Sequence, residues 1–187
     1  METAILTGIG LAAPAGLNAY IPLLALALAD RATTHITLNA PYDALSSNVG
    51  IGILIVLLTI ELIVDKIPGV DHVNDIIQSF VRPAAGAIVA LASTSGIVAI
   101  NPAVMVLLGL VLAGSVNAVK VTTRPAVTVG TAGVFNPLVS MGEDAVAILA
   151  SVIAIFLPAL VLVILAFFAV SSILLVRRFR RMRAGAP

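Results

Sequence analysis

The sequence contains no cysteine and no tryptophan, and only 10% of its residues are charged. Without cysteine, disulfides, thiolate metal sites and thiol nucleophiles are excluded. Aromatic residues make up 4%, so aromatic belts at a membrane surface are thin. What the chain has in quantity is apolar surface: 60% of its 187 residues are hydrophobic and the mean hydropathy is +1.18. This composition predicts an integral membrane protein with one transmembrane domain over residues 1–187.

The apolar runs predict an all-α polytopic helical bundle with about six membrane spans, within a range of five to seven. The first run, 4–29, contains Pro14, Gly16 and Pro22 and is expected to break near its middle. A run over 145–176 exceeds the hydrocarbon thickness, and Pro158 is expected to kink or divide it. Residues 126–136 are small and glycine-rich, which favours a re-entrant or broken segment.

Residues 61–86 carry an unusual concentration of charge for this chain. Positions spaced by three or four residues predict a helix with one polar stripe, formed by Asp71, Asp75, Gln78 and Arg82, opposite an apolar stripe. A proline and a glycine at 68–69 predict a break before this helix, which Asp71 is placed to cap. A broken, charged helix beside the bilayer is a functional-site hypothesis, and a solvated loop with an interfacial helix is the alternative.

Two pairs of neighbouring acids stand at the edges of apolar runs. Glu61 and Asp65 share a helix face, and their repulsion favours proton uptake by one of them, which predicts a proton or cation site. The alternative is two solvated acids neutralised by Lys66. In the second pair, the pattern S-x-x-E fits a capping box, so Glu143 is assigned to helix capping and Asp144 to the candidate site.

Two Arg-Pro words, at Arg82 and Arg124, stand at changes between polar and apolar sequence. Proline suits the first turn of a helix, so these words predict helix starts, where arginine and the helix dipole together favour a bound anion. Lys120 and Arg124 share a helix face and repel each other without a counter-charge. Either they face water or an anion lies between them.

Asn18 lies inside the first apolar run, where a polar side chain needs a partner. It is a candidate either for helix–helix contact or for substrate contact, and Asn117 is placed with it among the substrate contacts. An internal echo connects Val73–Gly86 with Val116–Gly130, since both contain Val-Asn, then Arg-Pro-Ala, then glycine. Chance is a serious rival, but a true repeat predicts inverted halves near 1–100 and 101–187, with a transporter site at their interface.

The C-terminal residues 177–187 contain five arginines. By the positive-inside rule, this basic tail is predicted to be cytoplasmic. Orientation explains the arginines sufficiently, so no nucleic-acid role is expected.

Several short sequence motifs together resemble a family of small bacterial membrane proteins that is classified as a domain of unknown function. These motifs are GLNAYIPLL, E-x-x-x-DKIPGVDH, VRPAAGA, K-x-x-x-RP and NP-x-x-S-x-x-ED. The resemblance covers almost the whole chain. It implies a multi-span protein of the bacterial inner membrane with the charged words as hallmarks, and it implies no substrate.

We therefore predict a small transporter or flippase for an anionic, phosphate-bearing substrate, lipid-linked substrates included, with possible proton coupling. The predicted substrate-binding residues are Arg82, Arg124, Lys120, Asn18 and Asn117, and the predicted proton- or ion-coupling residues are Glu61, Asp65, Asp71, Asp75 and Asp144. No catalytic residue and no cofactor are predicted, a metal is left undetermined, and the predicted partners are the lipid bilayer and, as an open option, a second copy of the chain.

Three alternatives stay open. A cation or divalent metal-ion carrier would use the acids as oxygen ligands. An intramembrane enzyme is disfavoured because the sequence has no nucleophile–base motif. In a structural adaptor, the charged side chains would form buried ion pairs that fix the helix packing, with no accessible cavity beside them.

Overall fold

The computed structural model describes residues 2–34, 36–67, 70–97, 99–131, 133–161 and 163, with the backbone alone for 70–73 and 126. Over these residues the regular structure is entirely helical. The α-helices are α1 (Glu2–Ala15), α2 (Tyr20–Ala32), α3 (Asn48–Val64), α4 (Val70–Ser93), α5 (Pro102–Thr131) and α6 (Asn136–Phe156), and a 3-10 helix covers Tyr42–Ser46. The predicted all-α class is confirmed.

Three helical segments in the described part of the chain are long and apolar enough to cross a bilayer: Asn74–Ser93, Pro102–Thr131 and Asn136–Phe156. The apolar helix α3 is shorter, at 17 residues. Large aliphatic side chains point outward from these helices, such as Val56 on α3, Val111 on α5 and Leu149 on α6, exposed by 58%, 62% and 63%. Lipid is the solvent that such a surface requires, so this is a helical membrane bundle. The count of six spans stays a prediction.

The first apolar run forms a helical hairpin. Helix α1 begins beside the end of α4, since Thr3 and Thr7 line one cavity with Ser93, and its other end lies where the Leu17 carbonyl accepts a hydrogen bond from Lys120. Helix α2 returns, and beyond it the backbone N–H of Asn39 donates to the Ser95 hydroxyl. The predicted break is confirmed at residues 16–19. Because α1 has 14 residues, about 21 Å at ~1.5 Å per residue, the hairpin enters the bundle and turns back.

Helices α4 and α5 form the most extensive packing in the molecule, and glycines allow it. A Cβ atom at Gly86 would lie 2.7 Å from the Gly109 carbonyl oxygen and would also overlap the Ala113 methyl group. The two backbones therefore touch directly, as small residues permit between membrane helices. Since Ser93 and Pro102 are joined by eight residues, the helices run antiparallel, and the echoing words lie on the two arms of this hairpin. An inverted repeat stays a prediction.

Several predicted element boundaries are wrong. Pro83 and Pro125 lie inside α4 and α5 rather than at helix starts. Proline is tolerated inside a membrane helix because neighbouring groups can satisfy the freed carbonyl. Residues 126–131 continue α5 instead of forming a re-entrant segment, and the chain turns at Gly133, whose φ of +79° is left-handed and favours glycine.

The last helix corrects a further prediction. Because α6 begins at Asn136, Ser140 and Glu143 lie inside it, so the capping-box assignment is wrong. The helix ends at Phe156, and Leu157 interrupts it before a new helical turn starts at Pro158, so the long run is divided there as expected. The basic tail 177–187 lies outside the described residues.

Candidate functional site

The polar stripe of α4 faces the protein interior. Asp75 and Gln78 are 5% and 4% exposed and Arg82 is fully buried, whereas Phe80 on the opposite face is 78% exposed. This is the reverse of a soluble amphipathic helix and is expected where lipid surrounds the protein. The fourth predicted member, Asp71, lies in the first turn of α4, and its side chain is outside the described part of the structure.

Arg82 is the centre of the stripe and contacts four other side chains. Its Nη2 atom donates to Glu61 at 3.2 Å and lies 3.8 Å from Asp65. Its Nη1 atom donates to Asp75 at 3.3 Å and to Asn117 at 3.0 Å. A buried guanidinium is costly unless carboxylates compensate it, and three carboxylates from two helices and their junction do so here.

Lys120 and Arg124 lie one turn apart on α5 and share two carboxylates. The Lys120 ammonium lies 3.0 Å from Glu143 and 3.5 Å from Asp65, and Arg124 lies 2.9 Å and 3.4 Å from the same two groups. Arg124 also donates to Asp75 at 3.3 Å. The predicted counter-charge between the two cations exists, and it is supplied by the protein's own carboxylates.

The tip of the α1–α2 hairpin is bonded to these charges. Lys120 donates to the Leu17 carbonyl at 2.8 Å, at the negative end of the α1 dipole. The Asn18 Oδ1 atom accepts the amides of Tyr20 and Ile21, both at 3.1 Å, and so caps α2. The Asn18 amide also donates to Asp144 at 3.0 Å. Discontinuous helix ends that point at charged groups are typical of membrane transporter sites.

We call this assembly the charge cluster, and among the described side chains it contains five carboxylates and four cations. Its members are Glu61, Asp65, Asp75, Glu143, Asp144, Lys66, Arg82, Lys120 and Arg124. With every group ionised, five negative charges against four positive ones leave the cluster at −1. Among the basic residues outside the tail, Arg31 alone is not a member. The chain has therefore concentrated its charge at one depth of the bundle.

Three buried polar atoms of the cluster region have no hydrogen-bond partner among the described residues. They are Glu61 Oε2, Gln78 Oε1 and Arg82 Nε. Glu61 is 1% exposed and its other carboxylate oxygen contacts Arg82. Unpaired buried polar atoms are costly, so the described side chains alone do not satisfy the hydrogen bonding of this part of the cluster.

The larger described cavities lie around the cluster rather than inside it. A cavity of about 510 Å³ at the α4–α5 connection is lined by hydroxyl and amide groups, including Thr3, Thr7 and Asn39. Two apolar grooves of about 390 Å³ and 260 Å³ flank α6, and they reach the cluster at Leu17 and at Asp144 respectively. Arg82, Lys120 and Arg124 line none of the four described cavities.

The structure brings nearly all of the predicted site residues together. The contacts join Arg82, Arg124, Lys120, Asn18, Asn117, Glu61, Asp65, Asp75 and Asp144. Only Asp71 is outside the side chains described. The placement of the two arginines differs from the prediction, because they lie mid-helix and do not combine with a helix N-terminus. The transport roles assigned to these residues stay predictions.

Sequence reasoning missed Glu143 and Lys66 as cluster members. Glu143 was assigned to a cap, but it binds Lys120 and Arg124. Lys66 entered only the alternative interpretation, as a neutralising partner of Glu61 or Asp65, but its ion-pair contact is Asp144, at 3.5 Å. The signal for Glu143 was available, because buried polar residues recur along α6 at Asn136, Ser140, Asp144 and Ser151 and mark an inward face.

The chemistry that the described contacts of the cluster offer includes proton exchange and anion exchange. No group of three or more His, Cys, Asp or Glu side chains in the described part of the chain could hold a metal ion. Asp65, Asp75 and Glu143 each contact at least two cations. An anion could replace a carboxylate at an arginine, and a proton could neutralise a carboxylate without disturbing its shape.

Fold and site define a helical membrane protein with a buried charge cluster at the tip of a discontinuous helix pair. A protein-family model named "Domain of unknown function (DUF4126)" matches residues 5–178, and the chain belongs to this family. The predicted resemblance to an uncharacterised membrane family is thereby confirmed. Comparison with curated proteins and with solved structures returns no match.

Proposed function

We propose that this protein is a small secondary transporter for an anionic, phosphate-bearing substrate, with the carboxylates of the charge cluster as its coupling groups. The observation that carries the proposal is the cluster itself, nine ionisable side chains gathered at the tip of a helical hairpin. Burying charge in a membrane is expensive, and intramembrane charges typically mark substrate or proton pathways. No catalytic residue is assigned.

The substrate phosphate would exchange with carboxylates at Arg82 and Arg124. Both guanidinium groups are paired with carboxylates. Two oxygens of a tetrahedral phosphate can accept the two parallel N–H bonds of a planar guanidinium, as a carboxylate can. Protonation of those carboxylates weakens their hold on the arginines. Anion binding is therefore expected to strengthen as pH falls, and a proton would enter with the anion, so that little net charge is buried.

Alternating access is supported by the uneven exposure of the cluster. The side chains of Lys66 and Glu143 are 33% and 15% exposed, whereas that of Arg82 is fully buried. On the side of the 510 Å³ cavity, Leu11 of α1 and Val89 of α4 are fully buried and lie along their helices between the cavity-lining Thr7 and Ser93 and the cluster. We expect these two side chains to separate the cluster from that cavity. The tip of the α1–α2 hairpin is hydrogen-bonded to Lys120 and Asp144. Movement of the hairpin would break these bonds and open this side of the cluster.

The apolar grooves beside α6 support a lipid-linked version of the substrate. One groove includes Asp144, which contacts Lys66, and apart from Ser151 its other lining residues are aliphatic. An acyl chain would fit such a surface while its phosphate approached the cluster from the side. Free phosphate and a lipid phosphate would be recognised by the same groups. A binding experiment with each of them decides which one is the ligand.

The localisation that accompanies this proposal is the bacterial inner membrane with a cytoplasmic C-terminus. The apolar helices support a membrane location, and the five arginines of the tail support its orientation. A homo-oligomer stays a prediction.

The test is ligand-dependent thermal stability of the purified protein in nanodiscs of zwitterionic lipid. A ligand that binds the folded state at 100 times its Kd adds about 2.7 kcal/mol of stability. Inorganic phosphate and phosphatidic acid are compared at several pH values, using wild type, Arg82→Lys and Arg124→Lys. Arg31→Lys is the matched control, because Arg31 is exposed and outside the cluster. We expect stabilisation that grows at lower pH, is lost in both cluster variants and persists in the control.

Uptake into proteoliposomes completes the test. We expect a pH gradient to drive phosphate into the vesicles, or to move the lipid phosphate between leaflets, in wild type and in Arg31→Lys only. If divalent cations stabilise the protein instead, and Asp65→Asn but not Arg124→Lys removes the effect, the protein is a cation carrier.

A structural role is the second candidate, and a specific observation favours it. All four cations of the cluster are paired with carboxylates, and the two arginines and Lys120 line none of the described cavities. A cluster that only fixes helix packing predicts less stable Arg82→Lys and Arg124→Lys variants with no ligand response at any pH.

A further inference from the structure

Among the described side chains of the charge cluster, the carboxylates outnumber the cations. Five carboxylates face four cations there, so one described carboxylate has no cationic equivalent. Asp65, Asp75 and Glu143 each contact two or more cations. Glu61 contacts a single cation, Arg82, through one of its two oxygens, and is the most deeply buried of the five acids. The missing charge therefore belongs at Glu61.

The Glu61–Arg82 contact has one of the two hydrogen bonds of a bidentate carboxylate–guanidinium pair. The Nε and Nη2 atoms of a guanidinium lie on one edge, and an ionised carboxylate that meets this edge usually binds both. Here Glu61 Oε1 contacts Nη2 at 3.2 Å, while Oε2 and Arg82 Nε have no partner among the described residues. Oε2 is an acceptor left free in a site without solvent exposure.

A second unpaired acceptor belongs to the same region. Gln78 lies one helical turn from Arg82 on the inward face of α4, is 4% exposed, and its Oε1 atom has no partner in the described part of the chain. Tyr20 of α2 lies close enough to Gln78, Glu61 and Arg82 to interact with all three. Two unpaired acceptors in one buried region are satisfied together by a single proton, because a protonated carboxyl group is a donor.

We propose that Glu61 is the proton-carrying residue of the charge cluster, protonated on Oε2 and donating to Gln78 Oε1 directly or through one water molecule. The proton makes the cluster neutral, with four ionised carboxylates against four cations. The inference deepens the proposed transport function by assigning its coupling proton to one residue. A water in this position would also accept from Arg82 Nε and complete the set of partners.

The charged and titratable groups around Glu61 come from several elements. Arg82 of α4 and Lys120 of α5 favour its ionised form, Asp65 beyond α3 favours its protonated form, and Tyr20 of α2 is uncharged at neutral pH. The cations next to Glu61 are shared with other acids, since Lys120 contacts Asp65 and Glu143. The acids of α6 contact Lys66, Lys120 and Arg124 instead of the Arg82 edge that Glu61 meets.

Infrared spectroscopy of the full-length protein in nanodiscs tests the proposal. A protonated carboxyl group has a carbonyl stretch separate from that of carboxylates, and it shifts in D2O. At neutral pH we expect one such band in wild type, its loss in Glu61→Gln and its retention in Glu143→Gln. Absence of the band in wild type, or its persistence in Glu61→Gln, overturns the proposal.

A variant that leaves the carboxyl group in place guards against a folding defect in Glu61→Gln. In Gln78→Leu the acceptor is removed, so we expect the Glu61 band to move to a different frequency. An unmoved band shows that Gln78 is not the acceptor and overturns the pairing. The measurement needs no substrate, so a missing band and a failure of phosphate transport are separate results.

Discussion

At the scale of single residues, the cluster is a network in which each group has several partners. Arg124 lies 2.9 Å from Glu143 and also contacts Asp65 and Asp75. Removing one partner leaves its buried counter-charge uncompensated, which costs about 3–5 kcal/mol, whereas removing both partners of a pair costs much less than two single losses.

We therefore predict that Arg124→Gln lowers the free energy of unfolding by about 3–5 kcal/mol, and that Arg124→Gln/Glu143→Gln recovers part of this loss. Denaturant titration of the purified protein measures the four corners of the cycle. Arg31→Gln, which removes an exposed arginine, is expected to change stability by about 0.5 kcal/mol or less. Strictly additive losses would show that the pair is not coupled.

Asn18 makes two kinds of bond that one substitution can separate. Its Oδ1 atom caps α2, and its amide donates to Asp144. Asn18→Asp keeps the cap but sets two carboxylates against each other, so we predict lower stability at neutral pH than in Asn18→Ala, which loses the cap for about 1 kcal/mol. As pH falls, protonation of one carboxyl group restores a donor and the Asp variant should regain stability. Melting curves over a pH series decide this, and a constant difference between the variants contradicts it.

Sequence reasoning identified most cluster residues but not their partners. Asp75 and Arg82 were recognisable because charge is rare in this chain and helical spacing puts both on one face. Glu143 was missed because a local capping pattern explained it without tertiary structure, although it contacts Lys120. Lys66 was paired with acids nearby in the sequence, although its contact is Asp144. Ion pairs between distant helices depend on how the helices pack, and a single sequence does not contain that information.

At the scale of helices, the α4–α5 crossing fixes the depth at which the charges meet. Gly86 and Gly109 approach so closely that a methyl group on either would overlap the other helix. We predict that Gly86→Ala lowers stability by about 1–3 kcal/mol, because backbone atoms cannot move aside as a side chain does. Gly52→Ala on α3 is the matched control, since nothing lies within 4 Å of its added Cβ, and it should be neutral or slightly stabilising. Equal effects in denaturant titrations would show that the crossing has room.

The helix boundaries show where propensity rules stop working in lipid. The Arg-Pro words were assigned to helix starts because proline suits the first turn, yet both prolines lie inside long helices. In contrast, the break in the first run was predictable from its own residues, because Pro14 and Gly16 disfavour a continuous helix and Asn18 can cap a new one. Local signals located the break in the first run, the capping pattern at Ser140 was misleading, and tertiary packing decided the other boundaries.

At the scale of the whole molecule, the direction of α1 and α2 determines which side of the membrane reaches the cluster. Both helices are short, at 14 and 13 residues, and residues 3, 7, 37 and 39 line the same cavity at one end of the bundle. The first run therefore folds back on itself, and we predict that it enters the membrane and returns instead of crossing. The cluster then lies at the end of a hairpin that opens towards one side, while α5, with 30 residues, extends past the cluster to the turn at Gly133.

Cysteine accessibility tests this topology with no background, because the chain has no cysteine of its own. A hairpin places Thr3 and Asp43, both exposed, on the same side of the membrane, together with Ala99, whereas a crossing would place Thr3 and Asp43 on opposite sides. We predict that Thr3→Cys, Asp43→Cys and Ala99→Cys react with an impermeant maleimide from one side, and Val134→Cys, 74% exposed, from the other. Ala147→Cys, buried on α6, should stay unlabelled until the protein is denatured. Labelling of Thr3→Cys and Asp43→Cys from opposite sides would make the first run a full span, and the cluster would then lie midway along a crossing helix instead of at the tip of a hairpin.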